Sequence, residues 1–381
     1  MSPLMIILGA GIVVVVLWDV FETIVLPRRV TRRLRLTRLF YRYTWIPWSA
    51  AVQSLFRGRR QETLLSYYGP LSLILLLSLW AAGLIFGFAL VYSGSGPVLR
   101  TPEGTFESFT TALYASGTTF FTLGLGDVTP ISPSARLLTV AEAGLGLGLL
   151  ALVIGYLPPI NQSFSRREAK ISLLDARAGS PPTAAGMLVR QCHDRDLDAL
   201  LKHLVEWEQW SAELLESHLS YPVLAYFRSQ HDNQSWVSAL TSILDTSALA
   251  IAGTEGACAK QAQLTFAMAR HAVVDLALIF HSAPLRIRHD RLSQTQYGAL
   301  RSMLTEAGIH LKEGEKTERG LAELRDMYEP YVYALSRYFR LAIPPWMPEP
   351  GRKDNWEKSA WRINTATATH EAGTKADDEH F

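Results

Sequence analysis

The sequence predicts an all-α membrane protein: three transmembrane helices, a short re-entrant helix with a glycine-rich loop, then a helical domain outside the bilayer. Residues 1–160 hold three apolar runs long enough to cross a bilayer, the loops joining them are unequally charged, and residues 161–381 read as water-soluble. Whole-chain averages hide this division, at 381 residues, 48% hydrophobic, 19% charged and formal net charge +2. Two cysteines, Cys192 and Cys258, are too few for a disulfide framework and point to free thiols in a reducing compartment.

The first run, Leu4 to Leu26, makes a helix of about 34 Å at roughly 1.5 Å per residue. It has neither the charged start nor the small-residue cleavage site of a secretory signal. The second run spans about Leu64 to Tyr92 and the third about Arg136 to Leu157. Pro158-Pro159 is expected to end or sharply kink the third helix.

Charge sets the orientation. Ten arginines and no acid lie between Pro27 and Glu62, which places that loop in the cytoplasm and the N-terminus outside. Arg166, Arg167 and Lys170 follow the third run, whereas segments 93–106 and 127–135 hold Arg100 as their single cation. The topology expected is a multi-pass protein of the cytoplasmic membrane with its C-terminal domain in the cytoplasm. Within the basic loop, Leu36, Leu39, Phe40 and Tyr43 recur at helical spacing. They predict an amphipathic helix in the headgroup layer, with Trp45 and Trp48 as interfacial anchors. Arg28, Arg29, Arg32, Arg33, Arg35, Arg38 and Arg42 are candidate contacts for anionic lipid, or else serve only to fix topology. Asp19 and Glu22 are expected to pair with these arginines.

The most informative stretch separates the second and third runs. Phe106 to Thr119 is too short to span a bilayer and suits a re-entrant helix. Thr122-Leu123-Gly124-Leu125-Gly126-Asp127 follows. Glycine at alternate positions lets the backbone take positive φ at every second residue, so that successive carbonyls can face one axis. Non-helical backbone at membrane depth survives only where protein buries it or it lines a wet cavity. By themselves these residues point to a cation pathway.

Tyr114 to Asp127 resembles the pore loop of the potassium channel family, single-loop bacterial type, and its setting between two membrane helices is similar. Ser116, Thr119, Thr122, Gly124, Gly126 and Asp127 match residue types of that family's pore helix and filter; Arg136 and Gly146 match positions in its inner helix. The likeness covers roughly residues 65–160. It implies passive potassium conduction, with K+ held by carbonyls of Thr122, Leu123, Gly124 and Leu125 and the Thr122 hydroxyl. Gly126 belongs to the same selectivity filter, Asp127 braces its outer mouth, and Gly146 is the gating hinge. One such loop per chain implies a homotetramer. Three residues depart from the family: Phe121 replaces a threonine, Leu123 a smaller residue, and Leu125 a tyrosine or phenylalanine. Two alternatives stay open, a weakly selective cation channel and a membrane-anchored receptor or scaffold with a non-conducting pore. Gly144, Gly148 and Gly155 read as packing positions. Glu142, about two turns into the third helix, is expected to hydrogen-bond behind the filter or to line the pore.

The resulting organisation is 1–63, first helix and basic linker; 64–160, pore domain; 161–343, helical cytoplasmic domain; 344–381, disordered tail. Repeats such as Leu197, Leu200, Leu201 and Leu204, punctuated by Tyr221-Pro222 and Ala283-Pro284, predict a bundle of six to eight helices. No strand precedes a Gly-x-Gly-x-x-Gly; Gly253-Thr254-Glu255-Gly256 reads as a turn. No catalytic constellation, cofactor motif or nucleic-acid signature is present, no metal but K+ is expected, and the bundle names no regulatory ligand.

Overall fold

The computed structural model describes residues 2–26, 35–102, 104–105, 108–192, 197–230, 233–285, 290–351 and 354–355. The chain divides into two compact units, Met1–Gln162 and Ser163–Phe381. Among the described residues five helical segments are long and apolar enough to cross a membrane: Pro3–Val25, Arg59–Gly94, Pro133–Ala178, Trp236–Gly253 and Gly256–Ile279.

In the first unit, α1 (Pro3–Val20) runs on into a π-helical turn, Phe21–Val25, and packs along α3 (Arg59–Gly94). Gly9 and Gly87 make that approach possible: a Cβ on Gly9 would sit 2.4 Å from the Gly87 carbonyl oxygen. At the other end of α1, Glu22 accepts from Trp18 Nε1 at 2.8 Å and pairs with Arg35 at 3.6 Å. Asp19 takes different partners from the arginines expected. It accepts from Trp80 Nε1 at 2.9 Å and from the Thr37 hydroxyl at 2.6 Å and amide at 3.2 Å. The amide at the start of a helix has no partner within the helix, and this carboxylate supplies one.

Helix α2 (Leu36–Leu55) buries Tyr41, Trp45, Ser49 and Val52 and packs on α3. Trp45 is 2% exposed, with its ring 4.8 Å from that of Tyr68, so it is a packing residue and not an interfacial anchor. Trp48 is half-buried and donates to the Leu64 carbonyl at 3.3 Å. Tyr43, on the face expected to be apolar, is exposed. Tyr41 and Trp45, one turn apart, form the buried face against Tyr68 of α3 instead. Arg35 also donates to Thr23 at 2.9 Å, Arg38 is half-buried and Arg42 is exposed. Arg28, Arg29, Arg32 and Arg33 lie outside the described residues.

Strands β1 (Leu99–Thr101), β2 (Gly104–Thr105) and β3 (Thr129–Pro130) form a small antiparallel sheet, ordered β2-β1-β3, which the all-α reading lacks. Between β2 and β3 lies α4 (Phe109–Phe120). Helix α5 (Pro133–Ala178) continues through Pro158 and Pro159 instead of ending there. Each proline removes one backbone donor, a loss that a helix of 46 residues absorbs.

The second unit opens with the part of α5 from Ser163 and continues through α6 (Ala184–Gln191), α7 (Asp198–Ser220), a 3-10 turn (Pro222–Tyr226), α8 (Trp236–Gly253), α9 (Gly256–Ile279), α10 (Gln294–Glu306), α11 (Glu315–Asp326) and α12 (Glu329–Phe339). Nearly every residue of α8 is buried within the unit, and the helix packs against α6, α7, α9, α11 and α12, which accounts for its hydropathy without a membrane. Asp245, buried on α8, is gripped by Arg291 at 2.7 and 3.2 Å and by the Tyr328 hydroxyl at 2.5 Å. Glu329 joins Arg291 and Arg325, at 3.1 Å each.

That network orders part of the segment read as a disordered tail. Trp346 is 2% exposed and lies over the guanidinium groups of Arg291 and Arg325, 5.6 and 5.5 Å from its centroid. Asp354 pairs with Arg190 at 2.7 Å and accepts from the Ser180 amide at 3.1 Å. Composition counted the prolines and charges; one tryptophan over two arginines outweighs them. Residues 356–381 lie outside the described residues.

His203 and His218 are buried on α7. Arg167 Nη1 donates to His218 Nε2 at 3.3 Å, leaving Nδ1–H to donate to the Leu214 carbonyl at 2.8 Å. Burial, then the neighbouring Arg167, pushes His218 down to about 3 from an ordinary 6.5, and burial beside Arg177 and Lys170 does the same to His203. Both are neutral when folded, whereas the unfolded chain protonates them below 6.5. Their contribution is therefore complete above pH 6.5 and declines as pH falls toward about 3. The melting temperature of this unit, followed in the full chain by tryptophan fluorescence, is expected to drop between pH 6.5 and pH 4. The drop is expected to be shallower in His203→Gln/His218→Gln.

Candidate functional site

The site begins where α4 stops. The Thr122 and Leu123 amides donate back to the Thr119 and Thr118 carbonyls at 2.9 and 2.8 Å, closing the helix end. The backbone then alternates, with φ of +55° at Thr122, +58° at Gly124 and +79° at Gly126, and Leu123 and Leu125 outside the left-handed region. Glycine fills two of these positions without cost. Thr122 holds the third at about 1–2 kcal/mol, as for any L-residue. This alternation is the one that lets successive carbonyls face one side. In the single chain Thr122 through Asp127 are all exposed, Leu123 at 60% and Leu125 at 63%.

The far end of the loop is tied down from behind. Tyr114, on α4, donates its hydroxyl to Asp127 Oδ2 at 2.7 Å, and Asp127 Oδ1 accepts from the Val128 amide at 3.1 Å. Immediately afterwards β3 pairs with β1, Leu99 opposite Pro130 and Arg100 opposite Thr129. Arg136 Nε donates to the Pro130 carbonyl at 3.3 Å. A core of Phe88, Ala89, Tyr92, Leu99, Ala112, Ala115 and Ala135 packs these elements together.

Glu142 is fully buried behind α4. One carboxylate oxygen accepts from the Ser116 hydroxyl and the other from the Tyr92 hydroxyl at 3.0 Å. Tyr92 also meets Thr139 Oγ1 at 3.0 Å, and Ser116 lies 2.9 Å from the Ile85 carbonyl. The acid thus joins α3, α4 and α5, and does not line a path in the chain. Gly146, one turn further along α5, touches the end of α4 so closely that a Cβ would fall 2.0 Å from the Phe120 carbonyl oxygen. Gly144, Gly148 and Gly155, read as packing positions, meet no atom within 4 Å in the chain, while the expected hinge position is the packed one.

Sequence reasoning picks out Ser116 and Glu142 separately and misses what joins them. It misses the roles of Tyr92 and Tyr114 altogether. The signal for Tyr114 is a phenol one pore-helix length before an acid, which means little until the loop's path back toward α4 is known.

Residues 74–158, from within α3 to within α5, match the family model described as an ion channel. Over this segment the chain is similar to ion channels. The chain is also 29% identical over 187 residues to an uncharacterized membrane protein, YdjJ, of Bacillus subtilis (strain 168). That match covers 48% of this chain and about half, 52%, of the relative. No solved structure matches the chain.

Within this segment, Tyr114→Phe removes the donor that holds Asp127. The loop is therefore expected to leave its held position more often. Hydrogen exchange at the Leu123–Val128 amides is expected to rise in the variant, with the melting temperature of the full chain little changed.

Proposed function

We propose that the protein is a subunit of a homotetrameric potassium channel in the cytoplasmic membrane, with Thr122–Asp127 as its selectivity filter. The alternating backbone of that loop carries the reading. Positive φ at Thr122, Gly124 and Gly126, between two long apolar helices and behind a short one, suits rings of carbonyls that replace the hydration shell of an ion. One loop supplies a quarter of such a ring. The exposed Phe121, Leu123 and Leu125 support the same assembly, since copies around one axis would cover them. Charge in the flanking loops favours an N-terminus outside and the second unit in the cytoplasm.

A weakly selective cation channel is the second reading, favoured by Leu125. No aromatic hydroxyl holds the filter at that position, and the Tyr114–Asp127 bond braces the next turn instead.

Reversal potentials of purified protein in bilayers under opposed potassium and sodium gradients separate the two, and native mass is expected to give four chains. Gly126→Ala tests the path itself. A Cβ there meets no atom of its own chain within 4 Å, so within the chain the substitution opposes only the left-handed backbone. Tetramers of Gly126→Ala are expected to form and to carry no potassium current; current surviving in them would place the ion path elsewhere.

Arg28, Arg29, Arg32, Arg33, Arg35, Arg38 and Arg42 form a basic stretch suited to anionic lipid, at about 1 kcal/mol per cation near the surface. Replacing Arg28, Arg32, Arg38 and Arg42 by glutamine is expected to weaken channel activation in vesicles containing phosphatidylserine. Activity in neutral vesicles is expected to be unaffected.

A further inference from the structure

Helices α4 and α5 meet at two levels in matched register. Ser116 faces Glu142, and four residues on in both helices Phe120 faces Gly146. The first contact is a hydrogen bond between buried side chains, and the second is backbone against backbone with no room for a methyl group. No cation pairs with Glu142 among the described residues, so its hold on α4 runs through the Ser116 hydroxyl. Phe120 closes α4 two residues before Thr122, where the left-handed alternation begins. A shift of α5 relative to α4 therefore reaches the start of the loop with no flexible segment between.

We infer that Glu142 is a positioning residue for ion permeation: through Ser116 it fixes the pore helix against the inner helix, so that the inner helix sets the geometry of the filter. The inference rests on the pore reading above. Glu142 touches no permeating ion in this role. Its two oxygens serve different ends, since the Tyr92 contact reaches α3 and the Ser116 contact reaches α4. Loss of the first loosens the surrounding helices, whereas loss of the second releases the element that carries the filter.

The experiment compares Glu142→Ala, Ser116→Ala, Glu142→Gln and Tyr92→Phe as full-length tetramers in bilayers, reading the potassium-to-sodium permeability ratio and, separately, the melting temperature. Glu142→Ala and Ser116→Ala are each expected to lower the ratio by about tenfold, the equivalent of one hydrogen bond to a charged group. A Glu142→Ala/Ser116→Ala variant is expected to lie no lower than Glu142→Ala, because the two side chains act as one unit. Glutamine keeps an acceptor for Tyr92 and offers an amide to Ser116, so Glu142→Gln is expected to retain the wild-type ratio. Tyr92→Phe is expected to lower the melting temperature and leave the ratio unchanged, the result a merely structural contact gives. If Glu142→Ala does not assemble, Ser116→Ala decides, since it deletes one hydroxyl and leaves the carboxylate in place. A wild-type ratio in Ser116→Ala tetramers, or a ratio lowered equally by Tyr92→Phe, would overturn the inference while leaving the pore reading intact. Wild-type tetramers that pass no cation current would remove both.

Discussion

Backbone that is neither helix nor sheet leaves N–H and C=O groups unpaired, and within an apolar layer no water takes them up. The stretch from Phe121 to Asp127 is backbone of this kind, next to helices that read as membrane-spanning. Most of what surrounds it answers that constraint. Helix α4 closes against the loop through the Thr118 and Thr119 carbonyls. Tyr114 holds the acid at the loop's far end, and β3 pairs with β1 directly afterwards. Thr122 through Asp127 themselves stay exposed in the single chain.

The same economy governs the support behind it. Glu142 is an ionisable group with no counter-charge among the described residues, and burying such a group is costly unless hydrogen bonds surround it. Ser116 and Tyr92 provide those bonds from two other helices. The acid consequently fixes the mutual position of α3, α4 and α5 more narrowly than apolar packing would, because hydrogen bonds demand direction as well as contact. Gly146 narrows it again by removing the side chain that would separate α5 from the Phe120 carbonyl.

The second unit solves a related problem differently. Its central helix α8 is apolar enough to cross a membrane, yet it carries Asp245, fully buried. Arg291, Arg325 and Glu329 complete a network of charges around it, and Trp346 covers both guanidinium groups. Removing one member would leave a buried charge unmatched, so the network specifies one arrangement of α8, α12 and the segment beyond.

Sequence alone determined whatever local preference dictates. The three apolar runs are helices because length and hydropathy need no partner to be read. The alternation at Gly124 and Gly126 was legible because glycine tolerates positive φ wherever it stands, whereas the same conformation at Thr122 was not. Side-chain partners far apart in the chain were decided only by tertiary structure. Nothing in the spacing joins Ser116 to Glu142 or Asp19 to Trp80, and nothing in the order of residues turns Trp45 toward Tyr68 and away from the headgroups. The small sheet escaped notice because strands of two or three residues carry no periodicity. Trp346 was lost in a polar stretch because composition averages over neighbours, whereas burial selects a single side chain. Local backbone conformation follows from the residue itself, but a contact across the fold exists only once both of its elements have been brought together.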